Sequence, residues 1–365
     1  MEKTSQRELL VCAKEASISS LMAQLTSALT GQGQAIGLGE VASTHVPDRV
    51  CVVIATSGST GTPKEVGLSS SALLSSARSC NAYLGAKFGD VWSLLLPLTH
   101  IAGVNVLIRS LELGTTPLDL RNSAIYPNAD FTAIVPTQLF RALNGDDALL
   151  QHLKNAKAVL VGGSALSDEI RDLATRNSIN IVETYGMSET CGGCVYNGTP
   201  LDGVTIEIDS QERIKISGKM LATTYVNNQD AWDLVCRDGW FTTSDYGTLN
   251  AGKLVVQGRA DDVIISGGEN ISLLAIEKVL ATAFPTTQCA AFAIADSEWG
   301  SALHIACEGQ THPTQQEITK ALTQSLGDIA KPKGFLFLAE LPLISIGKVN
   351  RAALAEIAMR ERLQG

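Results

Sequence analysis

No stretch of this sequence approaches the ~18 consecutive apolar residues of a membrane-spanning helix, so no segment reads as a bilayer span. Basic residues are not in excess: 28 Lys and Arg stand against 37 Asp and Glu, a net charge of −9. A general nucleic-acid surface would be basic. A phosphate ligand stays open, because it needs only a few local donors and one or two cations. The eight cysteines lie scattered, without the spacing of a disulfide framework, in a chain long enough to bury a core without one. No secretory leader is read at the start: LLVCA is a short apolar segment with Glu2, Glu8 and Glu15 around it. A reducing cytoplasm is the expected location. Two familiar phosphate signatures are also missing. Walker A requires Gly-Lys-Ser/Thr, but counting from Gly58 that place holds Pro63, and Lys64 is followed by Glu65. The dinucleotide fingerprint G-x-G-x-x-G does not occur.

What is present centres on Ala55 to Val66, ATSGSTGTPKEV. Val50 to Ile54 (VCVVI) predicts a buried strand, and Leu73, Ala77, Cys80 and Leu84 predict a helix over Ser69 to Leu84. Between them lie Thr56, Ser57, Gly58, Ser59, Thr60, Gly61, Thr62 and Lys64. Strand, small-residue loop, lysine and helix suit a chain that wraps N–H groups and hydroxyls round a phosphate. A Ser/Thr/Gly-rich linker is the alternative from these residues alone.

In chain order, residues Ser5 to about Thr30 read as a helix, followed by a polar, Gly-rich connection. After the loop, strands over Val91 to Leu96, Ala129 to Val135, Ala156 to Val161 and Asn180 to Thr184 alternate with helices over Val104 to Leu113, Thr137 to Leu143 and Ser167 to Asn177. That alternation predicts an α/β domain with a largely parallel sheet, whose ligands sit at the carboxyl ends of strands. Leu201 to Gln257 reads as short antiparallel strands, a β-rich subdomain. The remainder predicts a small α+β domain, with helices over Leu273 to Ala283 and Gln315 to Leu326 and from about Asn350, and strands over Cys289 to Ala295, Ala302 to Cys307 and Gly334 to Leu338. The domains are placed at 1–258 and 259–365.

Thr56 to Lys64 resembles the phosphate loop T-S-G-S-T-G-x-P-K-G of the adenylate-forming, AMP-binding superfamily that includes the acyl-CoA synthetases; only Glu65 departs, standing where glycine is usual. Further motifs follow in the family's order. Pro97, His100 and Gly103 form P-x-x-H-x-x-G; YGMSET (Tyr185 to Thr190) resembles Y-G-x-T-E; GWFTTSDYG (Gly239 to Gly247) resembles G-W-x-x-T-G-D-x-G; Gly258 to Glu277 resembles the hinge motif; and LPLISIGKVNR ends on G-K-x-x-R.

The resemblance implies ATP, Mg²⁺ and coenzyme A as ligands and gives each motif a role. Lys64 and the hydroxyl-rich loop would hold phosphates, and Glu189 the metal. Gly163, Ser164, Tyr185, Gly186 and Ser188 would surround adenine, with Gly186 and His100 beside the acid. Asp245 would accept both ribose hydroxyls, since an ionised carboxylate can take two hydrogen bonds, and Arg259 would contact the nucleotide. Asp261 would be the hinge of a mobile C-terminal domain, and Gly267 and Gly268 the loop that serves thioester formation. Lys348 would drive adenylation, with Lys64 and His100 assisting. Ser188 replaces threonine, Ser244 glycine and Leu273 proline in these motifs.

About 55 residues precede the phosphate loop, fewer than in typical relatives. That shortened N-terminus, with YGMSETCGGCVYNG, resembles the short bacterial o-succinylbenzoate–CoA ligases of menaquinone synthesis. The implied substrate is a small aromatic dicarboxylic acid. Activation of another small aryl or short-chain acid, or nucleotide binding without chemistry, are the competing readings. The partners are small molecules; monomer and homodimer are both open. Cys191 and Cys194 form C-x-x-C, but a zinc site needs two more ligands and none stands near in sequence, so they read as small packing residues.

Overall fold

The computed structural model describes residues 5–12, 17–56, 64–259, 262–266, 269–296, 300–345 and 348–364. Residues 57–63, Asp261, Gly267 and Gly268 lie outside the described residues. The chain divides into two compact units: residues 1–163, 174–243 and 248–255 form the first, and 164–173, 244–247 and 256–365 the second. No helix among the described residues is long and apolar enough to cross a membrane.

Two of the sheets in the first unit differ in character. One runs in the order Thr224–Tyr225, Lys64–Ser69, Val50–Thr56, Ala35–Leu38, Gln6–Val11, His45–Pro47. Here the expected helix from Ser5 is corrected. Gln6–Val11 is a strand, parallel to Ala35–Leu38 and antiparallel to His45–Pro47, and the helix is confined to Ile18–Leu29. QRELLV buries only Leu9. A run that short carries no decisive period, and pairing on both edges overrides local propensity.

A second correction concerns the phosphate loop. Lys64 does not lead directly into a helix; Lys64–Ser69 is a strand that pairs antiparallel with Val50–Thr56. Glu65, Val66, Gly67 and Leu68 are all buried. Pairing on both edges and burial remove the in-out alternation by which a half-exposed strand is read. The helix then starts where expected. Ser69 accepts a hydrogen bond from the Ala72 N–H, and Leu73, Ala77 and Cys80 are buried on the inner face of Ser70–Tyr83.

The second sheet carries the α/β alternation read in the sequence. Ile181–Met187, Ala158–Gly162, Phe131–Ile134, Trp92–Leu94 and Leu118–Asp119 are consecutive parallel neighbours, while Gly192–Tyr196 and Thr199–Pro200 extend one edge antiparallel. The helix after Trp92–Leu94 spans Ile101–Glu112 and stops at Gly114, whose positive φ of 70° suits the residue beyond a helix end. Asp147–Asn155 and Gln229–Val235 are helices that the apolar pattern did not announce. Each is started by a side-chain cap, Asp146 to the Leu149 N–H and Asn228 to the Ala231 N–H. Antiparallel pairing of Val204–Ile208 with Arg213–Gly218 agrees with the β-rich segment expected there.

The second unit is α+β. Its sheet runs Glu269–Ser272, Val263–Ser266, Gly300–Glu308, Cys289–Asp296, with Gly334–Leu338 parallel to Gly300–Glu308. Leu273–Ala283 and Gln315–Leu326 cover it, burying Ile276, Leu280, Ile318 and Leu322. Leu273, where the family has proline, is itself a core residue, and Ser272 caps the helix above it.

Candidate active site

Hairpin pairing sets the base of the site. Thr56 stands opposite Lys64 and Ala55 opposite Glu65, the last pairs before residues 57–63. The Lys64 ammonium sits 5.0 Å from the ring centroid of Tyr225, a distance at which the ring face attracts a cation. Tyr225 is 2 % exposed, on the strand that pairs with Val66 and Gly67. Its hydroxyl donates to Glu189 Oε1 at 2.8 Å. Burial and this carboxylate push the phenol's pKa upward, so it is protonated at neutral pH. Two residues singled out by distant motifs, Lys64 and Glu189, thus meet on one aromatic side chain.

Glu189 lies in the one-turn Ser188–Thr190 helix that follows Ile181–Met187. That turn is held firmly. Its Glu189 carbonyl accepts from the Ala222 N–H at 2.7 Å, and Thr190 Oγ1 exchanges hydrogen bonds with Met187. Just beyond, the Cys191 carbonyl accepts from Ser76 Oγ and Asn105 Nδ2 at 3.0 and 2.7 Å. Glycine is required at 186, since a Cβ there would lie 2.0 Å from the Gly192 carbonyl oxygen. Tyr185 pairs with Val195 across a bulge. Gly162, the last residue of its strand, stands opposite Thr184 in mid-strand, and Gly163 follows it. Ser164 is exposed and counts with the second unit.

His100 precedes the Ile101–Glu112 helix, its Nδ1 2.9 Å from Thr99 Oγ1. Burial lowers its pKa, so the ring is neutral at pH 7. The tight entry to this helix needs Gly103, because a Cβ would come within 2.3 Å of the Pro97 carbonyl oxygen. Asn105 of the same helix is the group that reaches Cys191.

Cys191 and Cys194 are buried, which pushes Cys194 up to about 12 and Cys191 well above the usual thiol range. Neither holds the thiolate that metal binding or redox chemistry uses. No group of three or more His, Cys, Asp or Glu side chains among the described residues is placed to hold a metal. Mg²⁺ brought in on a nucleotide takes one or two protein carboxylates and completes its shell with phosphate and water oxygens. Glu189 is partly exposed.

In the second unit, Asp245 is buried and pairs with Arg259 at 3.3 Å. Lys348 stands on the two-residue strand Lys348–Val349, antiparallel to Leu343–Ser345; its side chain lies outside the described residues. Arg351, three residues on, donates to Asp262 at 2.6 Å, Glu277 at 2.8 Å and the Ala291 carbonyl at 2.9 Å. These contacts tie the segment carrying Lys348 to Asp262, Glu277 and Ala291.

Sequence reasoning missed Tyr225 and Asn227, whose Oδ1 accepts from the Glu65 N–H. Their stretch, TTYVNN, carries the β-formers of a short strand, but nothing in it names partners 36 and 162 residues away.

Residues 3–232 match the model of the AMP-binding enzyme family and residues 275–348 that of the AMP-binding enzyme C-terminal domain. A probable 2-succinylbenzoate–CoA ligase of Mycobacterium tuberculosis is 38% identical over 329 residues, covering 85% of each chain. The 2-succinylbenzoate–CoA ligase of Escherichia coli is 30% identical, over 89% of this chain and 72% of its own. Among solved structures, o-succinylbenzoate CoA synthetase from Bacillus subtilis in complex with its acyl-adenylate intermediate superposes with a TM-score of 0.74 at 24% identity, over 95% of this chain and 82% of that one.

Proposed function

The chain belongs to the family of AMP-binding enzymes, and from that premise we propose that it is an AMP-forming acid–CoA ligase acting on o-succinylbenzoate. The reaction has two halves. A carboxylate oxygen of the acid attacks the α-phosphorus of ATP, forming the acyl adenylate and releasing pyrophosphate. The thiol sulfur of coenzyme A then attacks the acyl carbon and AMP leaves. Little covalent work falls to the protein; its tasks are alignment and pre-aimed charge.

The observation that carries this reading is the meeting of Lys64 and Glu189 over Tyr225. A cation and a carboxylate held apart on one rigid support suit a triphosphate and the metal that neutralises it. Lys64, with Thr56, Ser57, Gly58, Ser59, Thr60, Gly61 and Thr62, binds the β- and γ-phosphates. Glu189 holds Mg²⁺, which when bound offsets phosphate charge. Tyr185, Gly186 and Ser188 take the adenine side, joined by Gly163 and Ser164, while Asp245 and Arg259 serve the ribose. Neutral His100 lies beside the acid. Lys348 meets the charge that builds as two anions approach. Asp261 is the pivot between domains 1–258 and 259–365, and Gly267 and Gly268 serve the thiol step. The choice of acid is supported by the relatives, whose names specify 2-succinylbenzoate.

The test is product identity. Supplied with o-succinylbenzoate, MgATP and coenzyme A, the protein is expected to yield o-succinylbenzoyl-CoA, AMP and pyrophosphate in equal amounts by mass spectrometry. Formation of ADP and phosphate, or no thioester, would refute the proposal.

A further inference from the structure

We propose that Tyr225 is a positioning residue that keeps the lysine and the carboxylate of this site in reach of one another without letting them pair. The inference rests on the reading above, in which Lys64 serves phosphate and Glu189 serves the metal. Left adjacent, an ammonium and a carboxylate would form an ion pair and spend their charge on each other. Among the described residues no ion pair joins Lys64 to Glu189. The buried phenol engages both: its ring face lies 5.0 Å from the Lys64 ammonium, and its hydroxyl fixes Glu189 Oε1 at 2.8 Å.

Tyr225 is itself well fixed. Its ring packs edge-on against Trp232 at 5.2 Å, and Trp232 stacks on Phe241 at 5.7 Å. Its backbone pairs with Val66, and the flanking Val226 N–H donates to the Glu65 carbonyl at 2.8 Å. Backbone and ring are therefore locked to the hairpin that carries Lys64. A cation held by a ring face is released to an arriving phosphate more readily than one held by a carboxylate. A single phenol donor orients Glu189 while using one of its two oxygens.

Two variants of the full chain separate the two contacts. Tyr225→Phe keeps the ring and removes the hydroxyl; Tyr225→Leu removes both. The readout is ATP affinity by titration calorimetry without acid or coenzyme A, each measured with and without Mg²⁺. For Tyr225→Phe, ATP affinity without Mg²⁺ is expected to stay within about twofold of the unchanged chain, whereas the gain on adding Mg²⁺ falls about tenfold, the scale of one hydrogen bond to a charged group. Tyr225→Leu is expected to lose about tenfold without Mg²⁺ through the missing ring and about a further tenfold with Mg²⁺ through the missing hydroxyl. In a Glu189→Gln background, Tyr225→Phe should add little further loss. Tyr225→Phe matching the unchanged chain in both conditions would overturn the proposal. So would an equal loss with and without Mg²⁺ in Tyr225→Phe. If the unchanged chain fails to bind ATP at all, the reading of the site falls, and this assignment with it.

Discussion

Glu65 Oε1 accepts a hydrogen bond from the Ala42 N–H at 2.6 Å, tying the start of the Lys64–Ser69 strand to the segment that follows Leu38. The Ser43 N–H donates to the same oxygen at 3.3 Å, and Ser43 Oγ to the other. The side chain is 2 % exposed. The departure from the family's glycine therefore has a structural account: the buried carboxylate accepts hydrogen bonds from the Ala42–Ser43 segment.

Replacing Glu65 strands those donors. Glu65→Ala is expected to lower unfolding free energy by about 2–3 kcal/mol, the scale of hydrogen bonds to a charged acceptor. Glu65→Gln, which keeps one acceptor oxygen, should lose about half as much. Urea denaturation measures both. Equal stability of Glu65→Ala and the unchanged chain would contradict this role.

Acidification should destabilise the fold through its buried histidines. Burial lowers the pKa of His100 and of His152, whose ring lies 2.9 Å from both Ser93 Oγ and the Pro127 carbonyl oxygen. The unfolded chain takes up protons below the ordinary imidazole pKa of about 6.5; the folded chain takes them up only at lower pH. Stability is thus fully present above about pH 6.5 and is lost as pH falls through the lowered folded values. A melting temperature that is level from about pH 8 to 7 and drops toward pH 5 is expected, with a shallower drop in His100→Gln. A melting temperature that rises over that acid range would refute the account.

Lys348 and Gly268 are expected to divide the two half-reactions. Lys348→Ala should slow acyl-adenylate formation about 10²–10³-fold, the scale of one pre-aimed charge in a dry site, and spare most thioester formation from supplied acyl adenylate. Gly268→Trp should do the reverse. Stopped-assay quantification of each half-reaction decides; equal losses in both would contradict the assigned roles.

Local signals were legible where they were self-sufficient. Leu273–Ala283 and Gln315–Leu326 appear with the bounds that their apolar spacing gives, and Thr314 with Glu317 forms the capping box that starts the second. Four of the parallel strands of the second sheet were readable as apolar runs broken by turns; the two-residue Leu118–Asp119 was not. What escaped was set by partners far away in sequence. Gln6–Val11 is a strand because Ala35–Leu38 and His45–Pro47 flank it. Lys64–Ser69 is a strand because its edges are paired by Val50–Thr56 and Thr224–Tyr225. The site divides in the same way. Lys64 and Glu189 were marked by their motifs, whereas the tyrosine between them belongs to no pattern and is found only when three distant segments are folded together.

The most direct test of the central claim is ATP–pyrophosphate exchange without coenzyme A, run over a panel of carboxylic acids. Exchange that depends on o-succinylbenzoate, and that is weak or absent with benzoate, acetate and long-chain acids, is the expected result. Exchange with other acids but not with o-succinylbenzoate would contradict the substrate assigned here, and ATP binding with no exchange for any acid would contradict adenylation itself.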